Sequence, residues 1–248
     1  MRFDVITLFP ELFEPFLKVG ITRRAYETGQ VLVQLTNPRD FASGNYRRVD
    51  DRPFGGGPGM VMMAEPLEKA LLSIRASRND NAPVLLFSPI GQTLNHAAVE
   101  RWSASEGAIL VCGRYEGIDQ RFIDRYVDGQ ISLGDFVLSG GELAAMAMLD
   151  AIARLQPGVL SDADSHHQDS FNPALDGLLD CPHYTRPENW AEQSVPAVLM
   201  SGHHEQIERW RREQRLALTA QYRPDLLEAA RLEGGLDKRD EQYLAGKH

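Results

Sequence analysis

The sequence predicts an α/β fold, on three observations. Short apolar runs alternate with segments of helical spacing along the N-terminal part of the chain. These runs have strand length, and turn-forming residues punctuate the sequence around them. Three runs lead into glycine-bearing turns: Ser88-Pro89-Ile90-Gly91, Gly113-Arg114-Tyr115-Glu116-Gly117, and the stretch from Gly134 to Gly141. Glycine lets backbone approach a ligand closely, and exposed backbone groups can recognise a flat polar heterocycle. From spacing alone, ordinary strand-ending turns explain the pattern equally well.

In chain order, Phe3 to Phe9 reads as a strand ended by Pro10. Glu11 to Arg24 has helical spacing through Leu12, Phe13, Phe16 and Leu17, with Pro15 tolerable only in an early turn. Val31 to Leu35 is a second strand, closed by Asn37-Pro38. Arg39 to Met63 holds Arg47, Arg48 and Arg52, then glycine at 55, 56, 57 and 59. It matches neither GxxxxGK[ST] nor GxGxxG, because Met60 stands at the third glycine position. A linker and a phosphate-facing surface both fit it.

Ala64 to Arg75 is an amphipathic helix and Val84 to Phe87 a strand; Asn95 to Ser103 is again helical. Ala108 to Cys112 is a strand, Ile118 to Ile123 a helix, and Gln130 to Leu133 another strand. Leu143 to Leu155 is helical, and the Ser139…Glu142 spacing predicts a capping box at its start. Ser161 to Ser170 is acidic and small, as a linker or lid would be. His166, His167 and Asp169 within it lack the helical spacing of metal ligands, so no metal site is predicted. His203 to Leu218 is a helix in which Arg209, Arg211, Arg212 and Arg215 surround Trp210. The tail from Pro224 to His248 has a helical pattern, then a polar end expected to fray.

Hydrophobic content of 43% and charged content of 25% over 248 residues suit a soluble globular protein of one large domain or two smaller ones. No apolar run reaches membrane-spanning length, and Met1 to Asp4 lacks the start of a signal peptide. Cys112 and Cys181 have no CxxC pairing, which fits a reduced cytoplasmic protein. The net charge of −9 excludes a generic basic nucleic-acid binder. Residues 1–171 carry 16 Lys+Arg against 22 Asp+Glu, and residues 172–248 carry 10 against 13, so RNA contact would use local patches.

Gly113-Arg114-Tyr115-Glu116-Gly117-Ile118-Asp119 and Leu133 to Glu142 closely resemble the bacterial tRNA (guanine-N1)-methyltransferases of the knotted (SPOUT) superfamily. Gly177 to Pro187, with Asp180-Cys181-Pro182-His183-Tyr184, is similar to the same family nearly word for word. The resemblance implies a parallel sheet flanked by helices and tied in a trefoil knot, followed by a small, mainly helical domain. It implies a cofactor domain at 1–160, a mobile lid at 161–171 and a tRNA-binding domain at 172–248. The implied reaction moves a methyl group from S-adenosyl-L-methionine to N1 of the guanosine 3′-adjacent to the anticodon, position 37.

By the same resemblance, Pro89, Gly91, Gly113, Tyr115, Glu116, Gly117, Ser132, Leu133, Gly134, Phe136, Leu138, Gly140 and Gly141 hold the cofactor. Ile90, Phe136 and His203 depart from the wording usual in the family. Asp169 matches the family's general base and Arg154 the arginine supporting it. His204, Arg209, Arg212 and Arg215 are assigned to tRNA. The resemblance implies a homodimer with its active site shared between subunits, and allows Mg2+ as a second cofactor. No membrane or DNA partner is expected. A ribose 2′-O-methyltransferase would share the cofactor loops but not the Arg154–Asp169 pair. A non-catalytic RNA-binding module would have no use for three glycine turns.

Overall fold

The computed structural model describes residues 1–161 and 165–246, and residues 162–164 of the expected lid lie outside it. Residues 1–161 form one compact unit, and the described residues beyond them form a second.

The first unit contains β1 (Arg2–Ile6), α1 (Phe13–Lys18), α2 (Arg23–Glu27), β2 (Leu32–Thr36), β3 (Asp50–Asp51), β4 (Val61–Met62), α3 (Ala64–Ser77) and β5 (Val84–Thr93). It continues with α4 (His96–Ser103), β6 (Gly107–Val111), α5 (Gln120–Tyr126), β7 (Gly129–Ser132) and α6 (Glu142–Arg154). Five strands pair in the order β2-β1-β6-β5-β7, every pair parallel, as expected of this α/β class. β3 and β4 form a separate antiparallel ribbon.

Side-chain alternation explains why the sheet is covered on both faces. Phe3 and Val5 of β1, Ala108 and Leu110 of β6, and Leu85 and Phe87 of β5 face one core, closed by Phe13, Ala25, Val99 and the apolar side of α6. Ile6, Ile109, Val111, Val84 and Leu86 face the other, against Leu67, Leu71 and Ile74 of α3 and Phe122 of α5. A one-residue slip in any central strand would exchange its two faces.

Four local expectations are corrected. The helix expected over Glu11–Arg24 is two short ones, interrupted at Val19, which is extended, and Gly20, at φ 83°. β5 does not stop at Phe87: the chain bulges, and Phe87 and Gln92 both pair with Ile131. The capping box at Ser139 is absent; Gly141 is the N-cap of α6 without a side-chain bond, and Glu142 turns inward. The C-terminal tail forms two helices through Ala245, the last with a capping box between Asp237 and Asp240, although residues 247–248 lie outside the described residues.

The second unit is mainly helical, as expected. It holds the ribbon β8 (Asn189–Trp190) and β9 (Gln193–Ser194), then α7 (Ala197–Met200), α8 (His204–Tyr222), α9 (Pro224–Leu232) and α10 (Lys238–Ala245). Leu178, Leu216, Leu227, Ala230 and Leu244 make its core. Among the described residues no helix is long and apolar enough to cross a membrane.

Candidate functional site

The bulge within β5 and the loops leaving the carboxyl ends of β6 and β7 converge on a cleft of about 270 Å³. Ligands of open parallel sheets bind beyond the carboxyl ends of the strands, so this cleft stands where the fold favours a site. A larger hollow of about 610 Å³ lies at the opposite, amino-terminal ends, around Asn81, Ala82 and Asp128.

The cleft wall contains Pro89, Gly113, Tyr115, Glu116, Gly117, Ser132, Leu133, Gly134, Phe136, Leu138, Gly140 and Gly141. The glycine turns singled out in the sequence thus supply about half of the wall. Not assigned from sequence were Arg114, which sits within the second turn, and apolar residues such as Leu86, Phe87, Ile118, Ile123, Ile131 and Ala144, which have no glycine turn to mark them. Gly91 is placed differently from its companions: a Cβ there would lie 2.4 Å from the Ile131 nitrogen, so it packs the β5 bulge against β7.

Main-chain bonds hold the loops together. The Gly141 amide donates to the Gly113 carbonyl at 3.0 Å, and the Phe136 amide to the Gly134 carbonyl at 2.9 Å. The Gly134 amide donates to Ser132 Oγ at 3.1 Å. Close approach explains the glycine pair. A Cβ on Gly141 would sit 2.8 Å from the Cys112 Cα, which cannot yield, and one on Gly140 would sit 2.2 Å from Arg114 Nε.

Beneath the cleft lies a polar cluster that sequence reading assigned to helix capping. Glu142 is 1% exposed, and Thr7 Oγ1 donates to its Oε1 at 2.9 Å. Arg114 Nε pairs with Glu142 Oε2 at 2.9 Å, and its guanidinium stacks 4.5 Å from the Phe9 ring centroid. Arg114 Nη1 also donates to the Ser139 carbonyl at 3.2 Å. A polar threonine inside the apolar run from Phe3 to Phe9 was the available signal for a buried partner. Burial, with the Glu142 charge adding to it, pushes the Cys112 thiol well above its ordinary pKa, so this cysteine is a neutral core residue.

The glycine-rich segment is docked on the second loop. Glu116 N–H donates to the Met60 carbonyl at 2.9 Å and Met62 N–H to the Gly117 carbonyl at 2.8 Å. A Cβ on Gly59 would fall 2.5 Å from the Glu116 side chain. Of the readings left open, a free linker is therefore excluded for Gly59 to Met62. Phe54 nearby is almost fully exposed.

Arg154 ends α6, half-buried, in the first unit. Asp169 is half-buried in the second unit and follows a 3-10 turn, Ser165–Gln168. Its carbonyl accepts from the Asn172 amide at 3.2 Å, and Asn172 Nδ2 donates to the His166 carbonyl at 2.9 Å. This fixes the backbone that carries the carboxylate.

The arginines of α8 are engaged within the second unit. Arg209 pairs with Asp240 at 3.0 Å and Glu213 at 2.9 Å; Arg212 pairs with Asp176 at 2.6 Å and Asp240 at 2.9 Å. Arg215 is buried, 3.4 Å from Asp180. His204 is exposed at the start of α8. Asp240 is buried, which raises its pKa, yet Arg212, the Asp237 amide and Arg209 outweigh burial and hold it below the usual carboxylate range.

Comparison with known proteins agrees with this geometry. Residues 1–229 match the family model described as tRNA (Guanine-1)-methyltransferase TrmD. A tRNA (guanine-N(1)-)-methyltransferase of Albidiferax ferrireducens is 75% identical over 247 residues, covering 100% of both chains. Those of Paracidovorax citrulli and Bordetella pertussis are 71% and 58% identical, covering 99% of this chain and 98% and 97% of theirs. With a cleft walled by the glycine loops of that family and a match along nearly its whole length, the chain belongs to the tRNA (guanine-1)-methyltransferase family.

Proposed function

We propose that the chain methylates N1 of guanosine 37 in tRNA, using S-adenosyl-L-methionine held in the glycine-walled cleft. The observation carrying this reading is the convergence of the three family-like loops on one cleft, in a chain that matches the family over residues 1–229.

The donors present suit the cofactor. Gly140 and Gly141 let the third loop pack directly against Arg114 and the Cys112 backbone in the cleft wall, Leu86, Ile118, Leu138 and Ala144 offer apolar surface for a purine, and Glu116 offers negative charge to a sulfonium amino acid. When bound, the cofactor supplies the electrophilic methyl group. The protein's own residues supply position and proton transfer. Asp169 accepts the guanine N1 proton, and Arg154 stabilises the negative charge that grows on O6 as that proton leaves. Mg2+ would serve the same end, and chelation followed by Mg2+ readdition tests it.

The reading assigns residues 1–160 to the cofactor and knot, 161–171 to a lid, and 172–248 to tRNA, in a cytoplasmic homodimer whose subunits share each active site. Exposed Leu12, Val19, Ile21 and Leu143 on the first unit support a covered surface there. His204 and the arginines of α8 are assigned to tRNA, with Arg215 supporting from within. The test is mass spectrometry of nucleosides from tRNA incubated with protein and cofactor. 1-Methylguanosine is expected; a ribose-methylated nucleoside, or no change, would overturn the proposal.

A further inference from the structure

The second unit contains a donor cluster outside the residues assigned above to cofactor and proton transfer. Asp180, Cys181 and His183 each offer one ligand atom, and the three atoms lie within 4.8 Å of one another. His183 Nε2 is 2.9 Å from Asp180 Oδ2. The Cys181 amide donates to Asp180 Oδ1 at 2.7 Å, folding the carboxylate back over its own chain. The Asp180 amide donates to Ser170 Oγ at 2.9 Å, and Arg215 Nε stands 3.4 Å from Oδ1. Backbone and carboxylate are thus oriented from outside the cluster, as ligating carboxylates are in metal sites. Cys181 is buried while the His183 side chain is 78% exposed, which leaves an open approach beside the imidazole.

We propose that Asp180, Cys181 and His183 form a binding site for one thiophilic divalent ion, Zn2+ or its spectroscopic substitute Co2+. The donor set is one sulfur, one nitrogen and one oxygen, which suits a tetrahedral ion with water in the fourth position. Zinc bonds of about 2.0–2.3 Å require donors separated by about 3.3–3.6 Å, so the His183–Asp180 pair opens slightly and the widest separation contracts. The exposed imidazole can make that movement without disturbing the core. Mg2+ prefers hard oxygen ligands and is a poor match for a thiol and an imidazole. Binding breaks the Cys181 S–H bond, forms a sulfur–metal bond and releases one proton to solvent.

Full-length protein stripped with a chelator and titrated with Co2+ tests the site. One equivalent should give the near-ultraviolet charge-transfer band of a thiolate–cobalt bond, which Zn2+ removes and excess Mg2+ does not. Cys181→Ser should abolish the band. His183→Ala, an exposed change that leaves the fold intact, should weaken cobalt binding about tenfold or more, on the scale of losing an orienting or ligating group. Absence of the band in the unaltered protein, its survival in Cys181→Ser, or unchanged affinity in His183→Ala would each overturn the proposal. If Cys181→Ser does not fold, the histidine variant decides.

Discussion

At the residue scale, two carboxylates of similar chemistry carry opposite expectations. Asp169→Asn keeps size and hydrogen bonding but cannot accept the N1 proton. Turnover should fall by about 10²–10⁴ while calorimetry finds cofactor and tRNA binding intact, and higher pH should restore part of the loss. Normal turnover would remove Asp169 from the base's role. Glu142, fixed by Thr7 and Arg114, is expected to act through structure. Glu142→Gln can keep the threonine bond but removes the carboxylate charge that Arg114 Nε meets, so it should cost about 1–3 kcal/mol in a denaturant titration and loosen cofactor binding. Part of the glycine wall was legible because Gly117 and Gly134 take positive φ, a demand of the local backbone. The Thr7–Glu142 contact joins residues far apart in sequence, which no local spacing encodes.

At the element scale, α8 is both a surface and a strut. Replacing Arg209, Arg212 and Arg215 by alanine should weaken tRNA binding and flatten its salt dependence, since fewer counterions are released. It should also lower the melting midpoint, because these side chains pair with Asp176, Asp180 and Asp240. A lower midpoint with an unchanged salt slope would assign the arginines to scaffolding alone. Asp240→Ala removes the common partner of Arg209 and Arg212. The loss should fall near the lower end of the about 3–5 kcal/mol for breaking a buried pair, because both arginines can reach water. With its folded pKa depressed, Asp240 stabilises fully at neutral pH, and that contribution drains away as pH falls below the usual carboxylate range. A circular-dichroism acid titration of Asp240→Asn against the unaltered protein should therefore converge at low pH. Helical spacing revealed α8 without revealing these partners, which come from α10 and the segment before the ribbon. The same spacing concealed the break at Val19-Gly20, where local backbone conformation overrides an otherwise apolar stripe.

At the scale of the whole molecule, a chain of net charge −9 must attract tRNA through local cations. If each active site takes Arg154 from one subunit and Asp169 from the other, heterodimers of Arg154→Ala with Asp169→Asn should regain activity in about half of their sites, in the way population-weighted assembly requires. Verified heterodimers without recovery would place both residues within one chain's site. Strand alternation made the α/β class legible, because each strand buries two faces and must read as a short apolar run. The strand order β2-β1-β6-β5-β7 was not legible, since adjacency depends on crossovers rather than on any strand's own residues.

The cleft's reliance on main chain has a consequence for inhibition. A competing ligand gripped by the amides and carbonyls of the Gly113 and Gly141 loops touches atoms that every amino acid shares. A point mutation at Gly140 or Gly141 would have to place a side chain where Arg114 and the Cys112 backbone already stand, and would disturb the wall for native cofactor and drug alike. Resistance would have to arise elsewhere, through overproduction, efflux or altered loop dynamics, so compounds that anchor on these glycines should meet a slower evolutionary answer than compounds that lean on the exposed rings of Tyr115 or Phe136.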